Sequence, residues 1–171
     1  MYANDLKRTS YTPERVEPPT GPINAEAVWI RDFFTGDTDE ADMIKNIQPL
    51  IKDNQIFVAS LKNRVYALNT ETGAINWQTQ LDQPGSVFVT PAIMGDILYV
   101  PSTNGKIYLL NTDNGDIITS NQVVEIGGLR SSPAPSPDYI FIGGEDGKLY
   151  ALNPTTGEEI WNYDSGASIL S

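Results

Sequence analysis

Few residues in this chain could do chemistry, and histidine and cysteine are not among them. Without histidine, Ser131 and Ser132, which precede Pro133, have no base to complete a serine–histidine triad. Without cysteine there is no disulfide, no thiolate metal site, no cysteine nucleophile and no covalent haem. Carboxylates remain. The stretch DTDEAD at 37–42 gathers hard oxygen ligands suited to calcium. An EF-hand loop begun at Asp37, however, needs glycine sixth and glutamate twelfth, and those places hold Asp42 and Gln48. It reads as a solvated acidic loop. GGEDGK at 143–148 has the wrong spacing for a phosphate loop, and Leu149 follows the lysine where Ser or Thr is needed. No carboxylate pair stands out for general acid–base work. The expectation is no catalytic, cofactor-binding or metal-binding residue.

Charge narrows the partners. Eleven basic against 22 acidic residues give a net charge of −11 over 171 residues. Such a field repels nucleic acid and anionic lipid, so neither is expected as a partner. The N-terminal stretch has no apolar core of signal-peptide length, and nothing later is long enough to span a membrane. Residues 1–25 are polar and proline-rich (Pro13, Pro18, Pro19, Pro22) and read as an extended leader.

The elements that would position any site come from a repeat. Gly73, Gly115 and Gly157 lie 42 residues apart (115 − 73 and 157 − 115), as do Pro49, Pro91 and Pro133, and Asn69, Asn111 and Asn153. A period of about 40–45 residues is that of a four-stranded propeller blade. The second unit shows four strands, at 86–94, 97–102, 106–111 and 116–123, joined by Gly95-Asp96, Asn104-Gly105 and Asp113-Asn114-Gly115 turns. Glycine takes the positive φ such turns need without steric cost. The first unit predicts strands near 46–51, 55–60, 64–69 and 74–81, and the third near 129–135, 138–143, 148–153 and 158–163. These make blades of about 46–81, 86–123 and 129–163 within a domain of 26–171.

The side-chain pattern favours stacked blades over a sandwich. In RVYALN (64–69), Val65 and Ala67 point one way, Tyr66 and Leu68 the other. Ile107/Leu109 against Tyr108/Leu110, and Leu149/Ala151 against Tyr150/Leu152, repeat this. A strand solvated on one face alternates apolar with polar, and these do not. The predicted fold is an all-β propeller of four-stranded antiparallel blades, three complete and one partial. VWIRDF (28–33) reads as a closing strand with Trp29 at the place of Trp77, and SGASILS (165–171) as the opening of another inner strand. Staggering of this kind lets an N-terminal strand complete the last blade of a ring.

VYALNTETGAINW (65–77) and LYALNPTTGEEIW (149–161) resemble the tryptophan-docking repeat of pyrroloquinoline-quinone-like (PQQ-like) β-propellers, over roughly residues 28–171. That family includes quinoprotein alcohol dehydrogenases and a non-enzymatic propeller subunit of the outer-membrane β-barrel assembly machinery. The resemblance implies that Trp29, Trp77 and Trp161 pack on neighbouring blades, with Gly73, Gly115 and Gly157 making the turns. The middle unit departs from it: Leu109 replaces alanine, Asn114 threonine and Thr119 tryptophan, which weakens docking at one blade interface. Rings of about seven or eight blades are implied, so three blades predict a fragment or self-association. In the enzymes the resemblance also implies a quinone, a calcium ion, a catalytic aspartate and a disulfide. The disulfide is impossible here, and no residue matches the aspartate or calcium ligands. The expected function is a non-catalytic protein-binding scaffold without cofactor. The alternative is a piece of a PQQ-dependent dehydrogenase, with PQQ and calcium, whose active-site residues lie outside this chain. The stretch RTSYTPERVEPP (8–19) is similar to the start of exported or lipid-anchored members. Resemblance therefore points to the periplasm or exterior, although the chain holds no signal peptide and a cytoplasmic location stays open.

Overall fold

A computed structural model describes residue 44 and residues 47–170. Trp29 and its strand, the leader and the acidic loop lie outside the described residues. The described chain forms twelve strands in three four-stranded antiparallel sheets. Blade 1 holds β1 (Leu50–Lys52), β2 (Gln55–Ala59), β3 (Arg64–Asn69) and β4 (Ile75–Gln80). Blade 2 holds β5 (Ala92–Met94), β6 (Ile97–Pro101), β7 (Lys106–Asn111) and β8 (Ile117–Gln122). Blade 3 holds β9 (Ala134–Pro135), β10 (Ile140–Gly143), β11 (Lys148–Leu152) and β12 (Glu159–Asp164). Each blade is a simple meander, every strand paired to the next in sequence.

The turns between third and fourth strands follow from two residue types. Asn69 Oδ1 accepts the N–H groups of Glu71 and Thr72, both at 2.9 Å. Asn111 does the same for Asp113 and Asn114, and Asn153 for Thr155 and Thr156. An asparagine side chain thus stands in for a backbone turn. The N–H of Gly73, Gly115 or Gly157 then bonds to the asparagine's own carbonyl at 2.8–2.9 Å. Those glycines sit at φ +66°, +76° and +73°.

Two-sided apolarity becomes stacking. Val65 and Ala67 of blade 1 pack with Leu98, Val100, Tyr108 and Leu110 of blade 2. From the opposite face of blade 2, Tyr99, Ile107 and Leu109 pack with Ile140, Ile142, Tyr150 and Leu152 of blade 3. The middle blade is therefore buried on both faces, and all four of Ile107, Tyr108, Leu109 and Leu110 are fully buried.

The inner strands are shorter than the pattern predicts. In blades 2 and 3 they are reduced to Ala92–Met94 and Ala134–Pro135, with one isolated bridge, Leu129 to Gly144, upstream in blade 3. Upstream, the backbone bonds to other partners: Val87 N–H donates to Ser60 O of blade 1, and Leu129 N–H to Ser102 O of blade 2, each at 3.1 Å. Pro91 and Pro133 have no N–H for a ladder. Residues 81–87 and 123–129 are thus crossings between blades.

Buried phenols and paired ammonium groups set the alkaline limit of this fold. Burial raises the titration of Tyr99, Tyr108 and Tyr150, the last reinforced by its hydrogen bond to Asp146. Hydrogen bonds to Asp96 and Asp82 raise Lys52 and Lys106. Each group holds its proton more tightly folded than unfolded. Its stabilisation is complete below about pH 10, where free phenols and ammoniums begin to titrate, and is lost as pH rises through that range. Urea midpoints should therefore fall steadily above about pH 10, and less steeply in Tyr150→Phe. A flat profile would contradict this account.

Candidate functional site

The residues with the most distinctive geometry form a register triplet that crosses the second, third and fourth strands of each blade. In blade 1, Phe57 pairs with Ala67 and Ala67 with Trp77. In blade 2 the same places hold Tyr99, Leu109 and Thr119, and in blade 3 Phe141, Ala151 and Trp161. A bulge follows the triplet in all three blades, after Ala67, Leu109 and Ala151. It adds local twist where the outermost strand leaves the ladder.

Blade 1 shows what the triplet does. Trp77 lies over the small Ala67, tilted 50° to Phe57 with centroids 5.8 Å apart. Its indole N–H donates to Thr112 O of blade 2 at 3.0 Å, and Gln55 donates to the same carbonyl at 3.1 Å. Thr79 Oγ1 donates to Gly115 O at 2.6 Å. Gly115 lies against the indole so closely that a Cβ there would overlap the ring. A flat aromatic, one carbonyl and a glycine make the contact. Trp77 is 9% exposed.

The blade 2–blade 3 contact reaches the same end with other residues. Leu109, the middle residue of the triplet, lies near Gly157. Tyr99 OH donates at 2.9 Å to Pro154 O, which is the repeat equivalent of Thr112 O. The Asn121 amide donates to Thr156 O, as Thr79 does to the next turn in blade 1. Loss of tryptophan at 119 is therefore offset by a larger residue at 109 and a hydroxyl at 99. No single-position comparison with the repeat pattern could find this, because the compensation sits on two other strands.

Blade 3 carries the first type of triplet on an open face. Phe141 and Trp161 hold the same arrangement, with centroids 5.9 Å apart and a tilt of 55°. Tyr139 adds a third ring, 5.8 Å from Phe141 and 6.4 Å from Trp161. Trp161 is 41% and Tyr163 65% exposed.

Among the described residues, polar side chains offer no comparable site. Ser60, Asn63, Ser102, Thr112 and Ser131 are buried; Thr112 Oγ1 accepts from Lys52 Nζ at 3.0 Å, and the other four hold a turn or a crossing. Ser131 Oγ accepts Gly143 N–H at 2.6 Å and donates to Gly143 O at 3.1 Å. Ser102 donates to Asn63, whose amide donates to Asp82 O. At the inner strands a cleft of about 590 Å³ is lined by Gln48, Thr90, Pro91, Ser132, Pro133 and apolar neighbours. Its lining has no carboxylate for calcium and no cation for an anionic quinone, so these residues do not fit PQQ with its metal. Among the described residues no three carboxylates gather as a metal site.

Gly115→Ala should cost roughly 2–4 kcal/mol, through left-handed backbone strain together with displacement of the Trp77 ring. Gly95 also has positive φ, +58°, but open space around its Cβ position. Gly95→Ala should cost only about 1 kcal/mol. Urea denaturation of the two variants checks the difference, and equal losses would mean that backbone strain alone acts at Gly115.

A family model described as outer membrane protein assembly factor BamB matches residues 24–169. Among curated proteins none matches the chain. Among solved structures the chain is similar to BamB from Moraxella catarrhalis, with 24% identity and a TM-score of 0.59, over 70% of this chain and 36% of that one. A quinohemoprotein alcohol dehydrogenase from Pseudomonas putida HK5 shares 18% identity at a TM-score of 0.64, over 71% of this chain and 21% of that one. The computationally designed protein Ika8 shares 12% at 0.65, over 78% of this chain and 40% of that one. The chain spans about a third of the length of the BamB structure and about a fifth of the dehydrogenase. At these identities the structures speak for the fold, whereas the family model covers most of the sequence. The chain belongs to the PQQ-like β-propeller family, and the model it matches carries the description of BamB.

Proposed function

We propose that this chain is a non-catalytic propeller module that acts by holding other proteins on its blade faces and rims. The observation that carries the reading is how its polar interior is used. The buried hydroxyls and amides are occupied with backbone turns and crossings, while the last strand of blade 3 exposes Trp161 and Tyr163 beside Ile160. Exposed aromatic clusters suit protein contacts, because rigid rings contribute area at low entropic cost. The family model's description, an outer membrane protein assembly factor, supports a role in protein assembly and a place in the cell envelope. A quinone-dependent dehydrogenase is the competing reading, and the uncharged lining of the inner cleft argues against it.

Two measurements test the proposal. With PQQ and calcium added, the protein should show neither bound quinone absorbance nor alcohol-dependent dye reduction. Photocrosslinkers placed at Tyr139 and Tyr163 should give discrete protein adducts in cells, and those at exposed Glu71 should not. Calcium-dependent dye reduction would overturn the reading, as would a uniform absence of adducts.

A further inference from the structure

At the end of the blades where the chain crosses from one sheet to the next, blade 1 shares the backbone of its neighbours but not their charge. The turn between second and third strands closes with the same bond in each: Asn63 N–H to Ser60 O, Gly105 to Ser102 O and Gly147 to Gly144 O, at 3.1–3.2 Å. The third place of that turn holds Lys62 in blade 1, Asn104 in blade 2 and Asp146 in blade 3. The fold accepts a cation, an amide or a carboxylate there, so the turn does not demand Lys62. Two residues on, blade 1 has Arg64 where the others have Lys106 and Lys148.

Both cations of blade 1 stand on a fixed frame. Gln83 donates to Lys62 O at 2.6 Å, and Gln80 donates to Lys62 O and Asn63 O at 2.9 and 3.1 Å. The Gln80 side-chain oxygen accepts Arg64 Nε at 3.0 Å, and Arg64 Nη1 donates to Tyr66 OH at 3.3 Å. Asn63, fully buried, pins the crossing by donating to Asp82 O at 2.6 Å. A guanidinium oriented in this way gives up little freedom on meeting a carboxylate.

Two adjoining clefts open beside this frame. One, of about 370 Å³, is lined by Leu61, Lys62, Arg64, Gln80, Gln83 and Gly85, with two cations and no carboxylate. The other, of about 440 Å³, shares Gln83 and Gly85 and continues to Asn104 and Lys106, whose ammonium meets Asp82 at 2.8 Å. The turns at the opposite end of the blades have the reverse character. They carry Asp53, Glu71, Asp96, Asp113 and Glu158, with Lys52 the one cation there among the described residues. Six-residue strands hold the two ends roughly 20 Å apart. That is about twice the Debye length of ~10 Å at 0.1 M salt, so the acidic end does not govern what meets the basic groove.

We propose that this groove docks an extended acidic segment of a partner protein, its carboxylates received by Arg64 and Lys62. A half-exposed ion pair contributes little by itself, so a small anion gains too little here. A segment with several carboxylates engages both cations and lies along the amides of Gln83 and Asn104. A nucleic acid, charged at every unit, would also meet Glu125 and Glu145 on the same rim. This docking rests on the non-catalytic reading above and names the chemistry of the partner.

A fluorescein-labelled octaglutamate peptide serves as the probe, read by anisotropy with the full chain at low salt. Lys62→Gln with Arg64→Gln should weaken binding roughly fivefold or more. Lys62→Gln alone leaves the Gln80 frame intact and should weaken it by a smaller factor. Lys148→Gln removes the same charge on blade 3 and should leave binding almost unchanged. Equal weakening by Lys148→Gln and Lys62→Gln would overturn the proposal, because net charge and not the groove would then be responsible. So would anisotropy that does not change with the original chain, or inorganic phosphate that displaces the peptide at matched ionic strength. An oligothymidylate bound as tightly as the peptide would overturn it too. Crosslinking at Tyr139 and Tyr163 reads a different blade, so absent octaglutamate binding beside intact adducts would sink this docking and spare the reading it rests on.

Discussion

A four-stranded sheet that is apolar on both faces must be covered twice, and everything else in this molecule answers to that requirement. The strand RVYALN and its two repeats carry no polar face to turn to water. Each blade therefore has a front contact and a back contact, and its stability is shared with its neighbours rather than held alone. Blade 2 meets the requirement within the described chain. Its third strand is sealed between two clusters, with Tyr108 and Leu110 in one, Ile107 and Leu109 in the other.

How the blades meet is a packing problem with two solutions here. One lays a tryptophan over an alanine and bonds its indole N–H to the next turn. The other uses a leucine for volume and a tyrosine hydroxyl for the same carbonyl position. Both keep the turn glycine against the preceding blade, because a side chain there would occupy the space of the partner. The turn is the fixed element, and what fills the pocket beside it varies. Three residues on three strands change together, since volume and hydrogen bonding are both conserved only when they do.

The same economy explains how the buried polar side chains among the described residues are used. A crossing between blades leaves backbone groups without ladder partners, and buried groups of that kind cost free energy unless they are satisfied. Asn63, Ser102 and Ser131 satisfy them from inside the fold. Their hydroxyls and amides are committed to the architecture. Salt bridges such as Lys52–Asp96 at 2.6 Å tie neighbouring blades at the exposed rim, where screening keeps their contribution small.

The fold class was legible in the residues: a 42-residue period, turn glycines, and strands apolar on both faces leave little besides a stack of meanders. So was the PQQ-like character, through the Asn-x-x-x-Gly turns and the tryptophans at 77 and 161. Local chemistry dictates those features, so they survive without knowledge of any neighbour. Tertiary structure alone decided the rest. It shortened the inner strands, because the N–H groups of Val87 and Leu129 turn to the preceding blade, leaving Leu129 only an isolated bridge to Gly144 of its own. It showed that Tyr99 and Leu109 replace a tryptophan that is missing at 119, a compensation spread over three strands. Trp77 and Trp161 look alike in the sequence, yet one is 9% and the other 41% exposed. The physical reason is that burial belongs to a pair of surfaces, and a sequence describes only one of them.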